Sequence, residues 1–127
     1  MSRSNDFLID ASVSLDDLSE FLRSVCDLAV CDVDPAGRPI HVCREFCCYL
    51  SEPDGHQLET FRNHLRFAPT WRLETRFHAR PLRNPHPRLV ETMQWLLHEY
   101  NCNLAWLVDC RQPIILKLNR KVTVQGT

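Results

Sequence analysis

Phe7, Ile9 and Ala11 alternate with Leu8, Asp10 and Ser12, which predicts a short strand near the N-terminus. Leu15, Leu18, Phe21, Leu22 and Val25 then recur at helical spacing, the single apolar stripe of an amphipathic helix over about residues 15–26. Ser14 is placed to cap it, and Asp16 and Asp17 lie at the positive end of its dipole. Residues 28–33 form an apolar strand that ends at Asp34-Pro35-Ala36-Gly37, where proline fixes a turn φ and glycine permits a positive one. A second strand over 40–50 is expected to pair back on it. Phe46, Cys47, Cys48 and Tyr49 make that strand apolar on both faces, as a central strand would be. Glu52-Pro53-Asp54-Gly55 reads as a turn, and Leu58, Phe61 and Leu65 give a partial helical pattern within 56–68.

From residue 71 the alternation is strict. Trp71, Leu73, Thr75, Phe77 and Ala79 face one way and Arg72, Glu74, Arg76, His78 and Arg80 the other, a half-buried antiparallel strand with a charged outer face. Pro81, Pro85 and Pro87 mark a loop, the last suited to the first turn of a helix. Leu89, Val90, Met93, Leu96, Leu97 and Tyr100 trace that second helix, and residues 104–108 and 114–118 form a second hairpin around 109–113. Residues 1–6 and 121–127 are expected as loose ends. Cys26-Asp27-Leu28-Ala29 after the first helix parallels Cys102-Asn103-Leu104-Ala105 after the second, so the order admits a twofold βαββ pseudo-repeat. The expected class is α+β: a mostly antiparallel sheet with two helices on one face.

The chain has 127 residues, 44% of them apolar, which suits a single domain over 1–127 burying roughly 65% of the surface it exposes unfolded. No apolar run approaches the roughly 20 residues of a membrane-spanning helix, and no signal peptide is legible, so a cytoplasmic protein with reduced thiols is expected. The formal charge of −1 conceals an asymmetry. Residues 1–59 carry twelve acids and four arginines, net −8, and residues 60–88 carry seven arginines and one acid, net +6. This excludes a uniformly basic nucleic-acid binder, and it makes the chain a dipole in sequence.

Seven cysteines and six histidines raise metal chemistry first. There is no Cys-x-x-Cys, and structural zinc normally takes its ligands in such close pairs. His41, Cys43 and Cys47 would share a face of one continuous strand, but no fourth ligand is evident, so no metal and no cofactor are expected. With three glycines there is neither a phosphate loop nor a nucleophile elbow, and the chain does not read as an enzyme.

Arg72, Arg76 and Arg80 on one strand face, with loop residues Arg83 and Arg88, offer a phosphate-tracking stripe, the basis of an alternative reading as a small nucleic-acid-binding regulator. The competing expectation is pairing within the molecule, to Glu45, Glu52, Asp54 or Glu59, or docking against a protein. Acidic Asp27, Asp32, Asp34, Glu52 and Asp54 would serve a protein partner with a basic cleft.

Phe7-Leu8-Ile9-Asp10 followed by Ser14-Leu15-Asp16-Asp17-Leu18, with Asn103-Leu104-Ala105-Trp106-Leu107-Val108-Asp109 and a strand over 114–118 near the end, resembles the small immunity proteins of bacterial polymorphic-toxin systems. The resemblance covers about 50 residues at the two ends and rests on packing patterns. It implies a cytoplasmic antidote that binds a cognate toxin domain tightly, with no catalytic residues to carry over. The expected partner-binding residues are Asp32, Asp34, Glu45, Glu52, Asp54, Arg72, Glu74, Arg76, His78 and Arg80.

Overall fold

The computed structural model describes residues 4–62, 67–79, 86–108, 115–118 and 121–124. Its elements are β1 (Ser4–Ile9), α1 (Leu15–Ser24), β2 (Ala29–Val33), β3 (Pro39–Val42), β4 (Phe46–Ser51), α2 (Gly55–Arg62), β5 (Trp71–Phe77), α3 (Pro87–Tyr100), β6 (Leu104–Val108), β7 (Ile115–Leu118) and β8 (Lys121–Val124). The strands form one antiparallel sheet in the order β2-β3-β4-β5-β1-β6-β7-β8. No helix among the described residues is long and apolar enough to cross a membrane.

Both long helices start and stop for local reasons. Ser14 accepts the Asp17 amide at 3.1 Å, satisfying one orphan donor of the first turn of α1. At α3 the cap is His86, whose Nδ1 accepts the Arg88 amide at 3.1 Å, and Pro87 follows where no amide is needed. Asn101 ends α3 in the left-handed region at φ 46°, and Asp27 turns the chain after α1 at φ 56°. Aligned on the buried Cys26 and Cys102, the left-handed residue follows the cysteine in one half and precedes it in the other. Element order is common to the two halves. Sheet position is not, because β2 is an edge strand and β6 lies beside β1.

α1 and α3 pack side by side on one face of the sheet. Leu18, Phe21 and Leu22 of α1 and Leu89, Met93 and Leu96 of α3 share a core with Phe7, Ile9, Leu73 and Trp106 of the central strands. Each fully buried side chain of this size contributes about 1.5–3 kcal/mol. The edge-on contact of Phe21 with Tyr100, centroids 5.2 Å apart, joins the helices, and that of Phe7 with Trp106, at 5.0 Å, joins β1 to β6. Polar atoms in this core are matched: the Trp106 indole donates to Asn5 Oδ1 at 3.0 Å, and the Thr75 hydroxyl to the Asn5 carbonyl at 2.8 Å.

Three expectations change. The strand over 40–50 is a hairpin: the Cys43 amide donates to the Phe46 carbonyl at 2.9 Å and Cys43-Arg44-Glu45 turn the chain, with no Gly, Pro or Asn to announce it. The ends are not loose at 4–6 or 121–124, since Ser4 opens β1 and β8 pairs with β7. Residues 1–3 and 125–127 lie outside the described residues. The partial helical pattern within 56–68 is a helix, α2, over Gly55–Arg62, a third beside the two expected, and Leu65 lies outside the described residues.

Candidate functional site

The register fixes what each strand contributes to the sheet face turned away from α1 and α3. One row runs Asp32, Ile40, Tyr49, Glu74, Asp6, Leu107 from β2 to β6. The rows on either side run Ala29, Val42, Cys47, Arg76 and Ser51, Arg72, Leu8, Ala105. Toward β1 and β6 this face is closed. Asp6, Leu8, Ala105 and Leu107 are fully buried, and Phe67, from the connection between β4 and β5, packs on the apolar three. Toward β2, β3 and β4 it is open. Ile40, Val42, Cys47 and Tyr49 are half-buried and belong to neither apolar core.

Charge is graded across the boundary. Arg72 donates to both Asp6 oxygens at 3.3 and 3.4 Å, and to Glu74 at 3.4 Å. Asp6 is buried and the Arg72 side chain only 14% exposed, so this pair is shielded from water and salt. Arg76, one row further, reaches Glu74 at 3.4 Å while remaining 63% exposed, and its guanidinium lies over the Tyr49 ring, 5.5 Å from the centroid. The arginine strand therefore pairs within the molecule, as one expectation had it, with Asp6 and Glu74 as partners of Arg72 and Glu74 as partner of Arg76. Asp6 carries no signal in the sequence that it would lie one strand away, because that neighbour is set by the sheet order.

The other expected residues are dispersed. Asp34 sits in the β2–β3 turn, where its carboxylate accepts from the Ala36 and Arg38 amides and pairs with the Arg38 side chain at 3.1 Å. These contacts, the Arg38 amide foremost, hold its pKa below the usual carboxylate value. Exposed Asp32 accepts the Val33 amide at 2.8 Å. Glu45 lies in the β3–β4 turn, its carboxyl held low by the Cys43 thiol hydrogen bond, and His78 donates from Nε2 to the Cys43 carbonyl at 3.2 Å. Glu52 and Asp54 lie between β4 and α2, and Arg80 and Arg83 fall outside the described residues.

The metal trio is taken apart by the β3–β4 turn. His41 on β3 faces the helices, opposite Cys48, whereas Cys47 faces the other way. Among the described residues no group of three ligands is placed to hold an ion. His41 is wholly buried, and its Nδ1 lies 2.8 Å from the Leu28 carbonyl, which can only accept; the proton is therefore on Nδ1 and Nε2 accepts the Ser19 hydroxyl at 2.8 Å. Burial pulls its pKa below the ordinary 6.5, so the ring is neutral. A serine on a neutral, oriented imidazole is the donor set of a nucleophile and base. Here it ties α1 to β3 and to the start of β2, and the cleft of about 340 Å3 lies elsewhere, lined by Asp10, Ala11, Ser12 and residues 100–103. Burial raises the Cys26 thiol to about 12 and Cys48 further still, which makes both poor nucleophiles.

The phosphate-tracking stripe is also broken. Arg72 is committed to carboxylates, and Arg88 is not in a loop but in the first turn of α3, donating to the Cys26 and Asp27 carbonyls at 3.0 and 3.1 Å. Among the described residues, the open half-face offers an exposed surface with an apolar centre and charged flanks. Comparison of this chain with protein-family models, curated proteins and solved structures finds no match.

Both ends of the open half-face carry both signs: Arg44, Glu45 and Arg76 lie toward the β3–β4 turn, and Asp32, Asp34, Arg38 and Glu52 toward the β2–β3 turn and the end of β4.

Proposed function

We propose that this chain is a non-catalytic protein-binding module that neutralises a cognate bacterial toxin in the cytoplasm by docking on its toxin domain. One observation carries the binding part of the reading: half of one sheet face is left uncovered, with an aliphatic and aromatic centre flanked by charges of both signs. A polar rim around an apolar centre is the usual anatomy of a protein interface, and Tyr and Arg are the residue types that anchor one. The toxin class comes from the resemblance of residues 7–18 and 103–118 to immunity proteins.

Co-expression with the product of the adjacent gene tests it. Growth rescue and a stable one-to-one complex are expected, and Tyr49→Asp or Val42→Asp should abolish both while leaving the protein folded. No rescue and no complex would end the toxin reading. Charge reversal at Asp32 or Arg76 should slow association more than it speeds dissociation, since exposed charges steer encounter. Arg72 is a poor choice for that experiment because it is largely buried against the buried Asp6, whereas Arg76 is 63% exposed.

A further inference from the structure

β2 and β3 are fastened to the molecule differently from the other strands. On the face that carries α1 and α3, β1 buries Phe7 and Ile9, β4 buries Phe46 and Leu50, and β5 buries Trp71 and Leu73. All five residues of β2 are exposed, and of the four in β3 only His41 is buried. The single buried side chain of this two-strand edge is therefore an ionisable one. Its register neighbour on β2, Val30, is 45% exposed, so the ring lies one strand in from open water. The bulge at Cys31 interrupts the ladder between the two strands and weakens the hold of β3 on β2. Beyond that ladder, β2 is anchored at its start, where the buried Leu28 donates its amide to the Leu22 carbonyl at 3.0 Å.

Three groups face the His41 ring: the Ser19 hydroxyl from α1, the Leu28 carbonyl from the segment before β2, and the Cys48 thiol opposite it on β4. None is an anion that would match an imidazolium, since burial keeps the Cys48 thiol protonated. The charged residues beside Ser19 on α1, Glu20 and Arg23, are exposed and pair with each other. Protonation of the ring breaks no hydrogen bond outright. Nδ1 still donates to the Leu28 carbonyl, and the Ser19 hydroxyl can turn to accept from Nε2. What protonation does is bury a positive charge without a counter-charge. Water relieves that cost, and the edge is the shortest way for water to reach the ring.

We infer that His41 is an acid-released latch: neutral, it fastens the β2–β3 edge to α1, and protonated, it lets that edge open while β4, β5, β1 and β6 stay paired. The sign follows from burial. In the open edge the ring takes a proton near the ordinary 6.5, more readily than in the closed one, so opening is promoted as pH falls below that value. Asp32, Ile40 and Val42 lie on these two strands, so opening dismantles the surface proposed above for a partner. That consequence rests on the partner reading. The latch itself does not.

Amide hydrogen exchange of the full chain at pH 7 and pH 5.5, corrected for intrinsic rates and repeated in low urea, tests the inference. Protection of the β2 and β3 amides should fall by roughly five- to tenfold between the two conditions, with little dependence on urea, the mark of a local opening. β1, β5 and β6 should remain better protected in both. His41→Gln keeps a donor for the Leu28 carbonyl and an acceptor for Ser19 without titrating, and should remove the acid response of the edge. Exposed His78, which donates to the Cys43 carbonyl just past the end of β3, is unchanged in that variant, so its own titration is told apart from that of His41. Edge protection indifferent to pH overturns the inference, as does an edge with the same urea dependence as β1, or a His41→Gln chain that keeps the full acid response. Should His41→Gln fail to fold, the nitrogen NMR shifts of the His41 ring decide. A ring still neutral below pH 6.5 in the closed form supports the latch, and one charged there while the edge stays protected overturns it. No growth rescue together with an acid-opened edge would sink the toxin reading and leave the latch; rescue with an edge indifferent to pH would do the reverse.

Discussion

One face of one sheet behaves in two ways. At β1 and β6 the residues turned away from the long helices, Asp6, Leu8, Ala105 and Leu107, are as inaccessible as the main core, whereas at β3 and β4 the equivalent positions Ile40, Val42, Cys47 and Tyr49 stay in contact with water. Strand composition does not separate them, since both sets are mainly apolar. What separates them is the connection between β4 and β5, which lays Phe67 over Leu8, Ala105 and Leu107. A cover over one half of a face makes its residues structural and leaves the other half in contact with solvent. The boundary between them is the Asp6–Arg72 pair, and the row that crosses it steps from a buried ion pair to an exposed one at Glu74–Arg76.

The sharpest break falls at that boundary. Arg72→Ala takes a counter-charge from the buried Asp6 carboxylate and should cost on the order of 3 kcal/mol in urea unfolding, whereas Arg76→Ala should stay within about 0.5 kcal/mol. Equal losses would mean that the two ion pairs do not differ in solvation. Next is the apolar contrast. Leu8→Ala or Leu107→Ala should cost about 2–5 kcal/mol, and Val42→Ala no more than about 1 kcal/mol, because solvent already reaches Val42.

His41 gives a third contrast, between the helix face and the open face, read by pH. Its folded pKa lies below the unfolded value near 6.5, so below that pH the unfolded chain binds more protons than the folded one. Stability should therefore fall as pH drops from about 7 toward 5. His41→Gln should flatten that dependence while lowering stability at pH 7, and an unchanged slope would mean that His41 is not its source. The smallest effect is chemical. Among the described cysteines, a thiol reagent under native conditions should modify exposed Cys31 first and half-buried Cys43 and Cys47 next, leaving the buried Cys26, Cys48 and Cys102 unreacted until unfolding. Rapid labelling of Cys48 would show that the helix face opens without global unfolding.

Local elements were legible in the chain. Ser14 with Asp16 and Asp17 marked the start of α1, Pro87 the start of α3, and the alternation from Trp71 to Phe77 assigned β5 and both its faces. These follow from capping, backbone restriction and side-chain period, which act over a few residues. The β3–β4 turn escaped because Cys43-Arg44-Glu45 has no turn chemistry to read, and that one omission created the apparent grouping of His41 with Cys47. The ends escaped too, because the worth of Ser4–Asp6 and of Lys121–Val124 as strands lies in neighbours far along the chain.

The candidate site divides in the same way. The sequence alone determined that Arg72, Glu74 and Arg76 share a face, that the class is α+β, and that charge is unequally spread along the chain. Only the tertiary structure decided that β1 lies between β5 and β6, so that Asp6 neutralises Arg72, that Phe67 closes half of the outer face, and that the remaining half carries both signs of charge. The physical reason is range. Period and capping are set by residues three or four positions apart, whereas the partners of a buried charge and the cover over an apolar strand are chosen by sheet order, which joins Asp6 to Arg72 across 66 positions.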